Sequence, residues 1–251
     1  MECIDVGGTK LYWMNTPWDQ KFFSLKTIEI IKIEDEDSTN LKECLIQLSK
    51  ITSAELTYGR FNAANFVAKK VFYSLGYYSA ETSASVILPN LREYSLPNIY
   101  NNRLLTIQSF VASDAGWIIK NIGESFRYSR FHEDPNLDNR LCANRMTGWS
   151  KDLIQKATEC VVFKLHATPH CFMFYEINNN QVTLILGGSV KGSELHAPFF
   201  WASVINYFKG MGVSKISTRI SLANAGVLSL YQNLGFKISS VLIDYHNLKE
   251  T

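Results

Sequence analysis

The stretch Asn224-Ala225-Gly226-Val227-Leu228-Ser229-Leu230-Tyr231-Gln232-Asn233-Leu234-Gly235-Phe236 reads as one short helix with both ends marked. Asn224 supplies N-cap chemistry, and Val227, Leu230, Tyr231 and Leu234 recur at helical spacing on one face. Gly235 ends the helix and turns the chain into the β-rich run Phe236 to Tyr245. Just before the helix, Lys215 to Leu222 reads as a strand. A strand, a capped helix and a strand in succession place this region in a sheet covered by helices.

Working outward, Pro198 suits the first turn of a helix whose buried face is Phe200, Val204, Tyr207 and Phe208. Three strand-like runs precede it, Cys160–His166, His170–Ile177 and Val182–Gly187, joined by short turns as in an antiparallel meander. Earlier still, Asp114 to Ser125 reads as a helix, Leu104 to Phe110 as a strand, and a further helix runs to about Gln155. In the first half, a strand Thr27 to Ile33 leads to a helix capped from Ser38, Thr39 and Asn40, with Leu41, Cys44, Leu45 and Leu48 on one face. A strand Ala54–Tyr58, a helix carrying Ala64, Val67, Val71 and Leu75, and a strand from Tyr77 to Leu88 follow. The aperiodic, proline- and asparagine-rich run 89–102 marks a boundary, giving lobes of residues 1–100 and 101–251. The fold class is α/β, a mixed sheet in two lobes.

The first lobe echoes the second. Asn65 stands eleven residues before Gly76, as Asn224 does before Gly235, and an aromatic follows each glycine. Where the second copy has Tyr231, the first has Phe72.

Composition narrows the function classes. A chain of 251 residues that is 46% apolar and 19% charged is globular, and a net charge of +2 leaves no basic stripe for nucleic acid. No apolar run reaches the roughly 18 residues that span a bilayer, and the amino terminus lacks a signal-peptide pattern, so a cytoplasmic protein is expected. Cys3, Cys44, Cys142, Cys160 and Cys171 form no C-x-x-C pair and read as reduced, mostly buried thiols, with no metal site.

The Asn224–Phe236 stretch resembles the N-x6-Y-x3-G-F signature of the GCN5-related N-acetyltransferase superfamily. Trp18-Asp19-Gln20-Lys21-Phe22-Phe23 resembles a W-D-x-x-F-F opening, and Ser129-Arg130-Phe131-His132-Glu133-Asp134-Pro135 an S-R-F-x-x-D-P motif. With Leu75-Gly76-Tyr77 through Glu81-Thr82 between them, their order is similar to that of the TDP-fucosamine acetyltransferase group. The resemblance implies an acetyltransferase fold whose first lobe is a degenerate copy. It implies transfer from acetyl-coenzyme A to the amine of a nucleotide-linked deoxy amino sugar.

A tyrosine, with a pKa near 10, keeps its proton at neutral pH and can protonate a departing thiolate, so Tyr231 is the candidate acid. Packing in the core is the competing role for the same residue. Asn224 is expected to cap the helix and, as the resemblance implies, to bind the pantetheine arm. Ser129, Arg130, His132 and Asp134 are the acceptor-side candidates: Arg130 suits a phosphate, or pairs with Asp134 to order the loop. His132, His196 and His246 are candidate bases, alongside a water chain. Trp18, Phe22 and Phe23 are candidates for stacking on a base or sugar, or for the core.

One segment departs from the superfamily. Its pyrophosphate loop, Q/R-x-x-G-x-G/A, aligns on Gly192, Leu195 and Ala197, of which Ala197 alone fits. Glu194 adds negative charge where an anion is to bind, and Pro198 has no N–H. Lys191 offers partial compensation, and Gly187 and Gly188 keep the strand end supple. A different amine acceptor, and a retired enzyme that only binds, therefore stand as alternatives. Self-association into a homodimer is left open.

Overall fold

The computed structural model describes residues 1–249. Its chain forms two compact units, the first being residues 1–83, 128–142 and 240–251 and the second 84–127 and 143–239. The expected division at residue 100 is thus replaced by an interleaved one. The last strand runs back into the first unit, and residues 128–142 pack there as well.

In the first unit a hairpin, β1 (Glu2–Val6) and β2 (Thr9–Asn15), turns at Gly7 and Gly8, both at positive φ. Helix α1 (Pro17–Phe23) and strand β3 (Thr27–Glu34) follow. Helix α2 (Ser38–Thr52) is capped by Asp37, whose side chain accepts from the N–H groups of Thr39 and Asn40, rather than by the residues after it. Its expected face, Leu41, Cys44, Leu45 and Leu48, is buried. Strand β4 (Leu56–Asn62), helix α3 (Phe66–Ser74) and strand β5 (Tyr78–Leu88) complete the pattern.

The second unit holds a one-turn helix α4 (Asn98–Asn101), a short strand β6 (Ile107–Ser109) and helix α5 (Ala115–Ser125). Helix α6 (Asn139–Gln155) leads to the meander β7 (Glu159–Leu165), β8 (Thr168–Asn178) and β9 (Gln181–Ser189). Then come helix α7 (Ala197–Gly210), strand β10 (Lys215–Ser221), helix α8 (Ala225–Asn233) and strand β11 (Lys237–Leu248).

Within the first unit the strands lie in the order β1-β2-β3-β4-β11-β5, and within the second in the order β5-β10-β9-β8-β7-β6. Each unit has a parallel pair, β3 with β4 and β9 with β10, in which a helix crosses between the two strands. All other pairings described in register are antiparallel. The second core gathers Phe200, Trp201, Val204 and Phe208 of α7 with Tyr231, Leu234 and Phe236. The first gathers the α2 face with Ala68, Val71, Phe72 and Tyr245. Cys44, Cys142, Cys160 and Cys171 are buried thiols outside any disulfide, and Cys3 is exposed.

Candidate functional site

The second unit's parallel pair parts early. β10 meets β9 at Lys215↔Gln181, Ile216↔Val182 and Ser217↔Thr183 only, while both strands run on. Beyond that point β9 is held by β8 as far as Ser189↔Cys171, and a fork opens between β9 and β10. Thr218 stands at the crotch, its Oγ1 donating to the Leu184 carbonyl at 2.9 Å.

Helix α8 brings Tyr231 to this place. Asn224 Oδ1 accepts from the Val227 N–H at 3.3 Å and fixes the start of the helix. Gly235, at φ +80°, lets the Phe236 N–H reach back to the Tyr231 carbonyl at 3.0 Å. The Tyr231 ring stands edge-on to Phe236 at 4.8 Å and to Trp201 at 6.4 Å, and its hydroxyl lies against Trp201 and Thr218. Tyr231 is 4% exposed, and burial raises its pKa, so the phenol keeps its proton at neutral pH. The ring is core, as one of the two expected roles had it, and the buried hydroxyl is near the crotch of the fork.

The glycines at the end of β9 serve a tight fit. A Cβ on Gly187 would lie 2.4 Å from Met173 Cε, and one on Gly188 2.9 Å from the Phe126 ring. A larger residue at either position would have to displace the Met173 or Phe126 side chain.

The turn from β9 to α7 closes on itself. Gly192, at φ +87°, donates its N–H to the Glu194 carboxylate at 3.0 Å. Ser193 donates to the Val190 carbonyl at 2.8 Å, His196 to Ser193 at 2.9 Å, and Ala197 to Glu194. The Ser193 hydroxyl lies 2.7 Å from His170 Nδ1. Glu194 is held below the usual carboxylate range by the N–H of Gly192 first, then by its own N–H, with Lys191 adding. A pyrophosphate placed here would meet a fixed negative charge and the already bonded N–H groups of Gly192, Ser193, His196 and Ala197. Gly192 and Ala197 thus spend their N–H groups within the turn, and Lys191 is exposed beside it.

The acceptor-side candidates all lie in the first unit, and the two motifs that nominated them meet there. Phe23 of the first motif sits 5.0 Å from Phe131 of the second, and Asp19 accepts from the Tyr58 hydroxyl. Arg130 stacks on the Tyr58 ring at 4.9 Å, donates to Glu29 at 2.6 Å and lies 3.5 Å from Asp244. The expected pairing of Arg130 with Asp134 does not form: its partners are Glu29 and Asp244. Asp134 instead accepts from Tyr78 at 2.8 Å and pairs with His246 at 2.7 Å. Burial raises the Asp134 carboxyl, but the bonds from His246, Asn136 and Tyr78 outweigh it and leave it below its ordinary value. His246 is wholly buried, so it is a structural partner rather than an accessible base. Ser129 Oγ and His132 Nδ1 are 2.9 Å apart. His196 sits at the start of α7 with its ring 5.4 Å from Phe163.

Arg60, Glu81 and Asp244 complete this network, Arg60 binding both carboxylates. Reading the sequence missed them, together with Glu29, Tyr58 and Tyr78. A signal was there: Tyr58 and Arg60 alternate on β4 directly opposite His246 and Asp244 on β11, and polar residues on one face of an apolar strand need partners.

No protein-family sequence profile matches the chain, and no curated protein sequence does. Solved structures do. A GCN5-related N-acetyltransferase from Sphaerobacter thermophilus superposes with a TM-score of 0.65 at 11% identity, over 95% of this chain and 76% of that one. The fold is that of the GCN5-related N-acetyltransferases. A second such protein, from Kribbella flavida, gives a TM-score of 0.61 at 10% identity over 99% of this chain and 90% of its own. A tandem GNAT protein from the clavulanic acid biosynthesis pathway gives 0.58 at 9% identity, over 98% and 82%. None of these points to the TDP-fucosamine acetyltransferase group in particular. Among the described residues no helix is long and apolar enough to cross a membrane.

Proposed function

We propose that this protein is an N-acyltransferase that passes an acyl group from a thioester to an amine at the fork of the second unit. The observation that carries the reading is a protonated phenol, Tyr231, held at the crotch of two parting parallel strands. The amine nitrogen attacks the thioester carbonyl and the C–S bond breaks. The ammonium loses one proton to water before it attacks; Tyr231 gives its own proton to the departing sulfur and is restored by the second proton that the nitrogen loses as the amide forms. Asn224 uses its side-chain oxygen for the cap, leaving its amide N–H groups for the donor's arm. Acetyl-coenzyme A is the donor that the sequence resemblance implies, and its thioester end suits this fork.

For the acceptor we propose a nucleotide-linked deoxy amino sugar, supported by the paired W-D-x-x-F-F and S-R-F-x-x-D-P motifs. With it we infer that the first lobe is a degenerate acetyltransferase copy, supported by the matching caps at Asn65 and Asn224. Turnover of an acyl thioester with a panel of nucleotide amino sugars and free amines tests both the reaction and the acceptor. Tyr231→Phe should fold normally and lose about 10²-fold or more in rate. The closed turn at Glu194 favours a second reading, a retired acyltransferase that only binds. Turnover by the wild-type chain excludes that reading.

A further inference from the structure

The fork and the turn of the second unit disagree about the donor. At the fork, β9 and β10 no longer pair with each other beyond Thr183 and Ser217, so an amide-bearing arm finds strand edges to lie along. At the turn the situation is reversed. An anion bound by backbone N–H groups at the head of a helix needs those groups pointing outward and unspent. Here Gly192, Ser193, His196 and Ala197 direct theirs to acceptors within the turn and Pro198 has none, which leaves too few, chiefly that of Leu195, to hold a pyrophosphate. The position that a phosphate would take beside Gly192 is filled by the chain's own anion, the Glu194 carboxylate.

We infer that the acyl donor is recognised through its pantetheine arm alone, and that a thioester lacking the nucleotide and its pyrophosphate serves as well as one that carries them. This rests on the reading of the fork as the thioester site. The donor class is an acyl-pantetheine, free or borne on a carrier through a single phosphodiester. Glu194 is the residue that sets this preference. It is exposed, so replacing it leaves the core intact.

Coenzyme A and pantetheine share the thiol arm and differ by the nucleotide, so titrating each into the full chain by calorimetry isolates the phosphate contribution. Wild-type protein should bind the two within about tenfold of each other, since the turn adds little for the phosphates. Glu194→Ala should tighten coenzyme A by about tenfold while moving pantetheine less than about twofold, because it frees the Gly192 N–H and removes the charge. Acetyl-pantetheine and acetyl-4′-phosphopantetheine as donors then separate a free thioester from a carrier-borne one. A wild-type preference for coenzyme A above tenfold overturns the inference, as does unchanged coenzyme A affinity in Glu194→Ala. If neither thiol binds wild type or variant, the reading of the fork itself fails, and this inference with it.

Discussion

The turns Asn65–Gly76 and Asn224–Gly235 are built to one pattern and used differently. In each, the asparagine Oδ1 accepts an N–H three residues on, from Ala68 at 2.9 Å and from Val227 at 3.3 Å. Each glycine stands at φ +80°, and the residue after it reaches back to position 72 or 231 at 3.0 Å. Each helix also follows the second strand of a parallel pair that parts, after Ile30↔Gly59 in one unit and after Thr183↔Ser217 in the other. What fills the shared position differs. Phe72 stacks flat on Tyr245 at 4.9 Å and has no hydroxyl, and the opposite face of that sheet carries the buried ions Arg60, Asp244 and Glu81. Tyr231 brings a hydroxyl to a crotch lined by Thr218. One backbone device thus supports a locked core in one unit and, in the other, the position proposed for the chemistry.

The largest effect should come from breaking the locked side. Asp244→Ala removes the carboxylate that Arg60 and Arg130 share and leaves two guanidinium groups short of a partner. Stability should fall by about 3–5 kcal/mol, read from the denaturant midpoint with an unchanged m-value. A loss under 1 kcal/mol would mean the network is solvated rather than locked. The next effect tests the chemical side. Tyr231→Phe should cost acyl transfer about 10²-fold, or roughly 2.7 kcal/mol of transition-state stabilisation, with little change in melting temperature. Phe72→Tyr should add no turnover in a Tyr231→Phe background, since its position is closed by Phe61, Tyr77 and Tyr245.

Much of this contrast was readable before the structure, and the reason is locality. Caps, helix faces, the positive-φ glycines and the meander are set by residues within a few positions of one another, so Asn224, Gly235 and the α2 face were found by spacing. The hairpin at 2–15 was passed over, although Gly7-Gly8 marks its turn. The partners of Arg130, Glu29 and Asp244, are not legible because they come from remote strands whose register no local pattern gives. Glu194 was recognised as an unhelpful charge, but its bond to Gly192 depends on a turn conformation that composition does not report. The interleaving of the units was hidden for the same reason: β11 pairs with β4 across most of the chain.

Two smaller effects sharpen the comparison. At φ +80°, alanine is strained in either turn by about 1–2 kcal/mol. A Cβ on Gly76 meets nothing nearer than 3.8 Å, but one on Gly235 would lie 2.9 Å from the Tyr94 ring. Gly235→Ala should therefore lower the melting temperature more than Gly76→Ala; equal losses would show that Tyr94 gives way. The second effect is a pH dependence confined to the locked side. Burial first, and then the Asp244 charge, push the Glu81 carboxyl up to about 7 against the opposing pull of Arg60. The folded chain thus holds this proton more tightly than the unfolded chain does. Its stabilisation is full below the ordinary value of 4.5 and is lost as pH rises to about 7. Glu81→Gln should flatten stability across that window, and an unaltered pH slope would remove Glu81 from the account.

The smallest effect separates the two caps. Either asparagine replaced by alanine should cost about 1 kcal/mol as a lost N-cap. Asn65 has a second tie, donating from Nδ2 to Glu36 at 2.7 Å, so its whole amide serves the fold. Asn65→Ala should accordingly cost stability alone, slightly more than the cap value, and leave KM untouched. Asn224 spends its oxygen on the cap and is read as keeping its N–H groups for the donor's arm. Asn224→Ala should therefore show the cap loss together with a raised KM for the thioester. Asn224→Asp keeps the cap oxygen and removes those donors, so it should restore stability while KM stays high. Recovery of both by aspartate would reduce Asn224 to the same purely structural part that Asn65 plays.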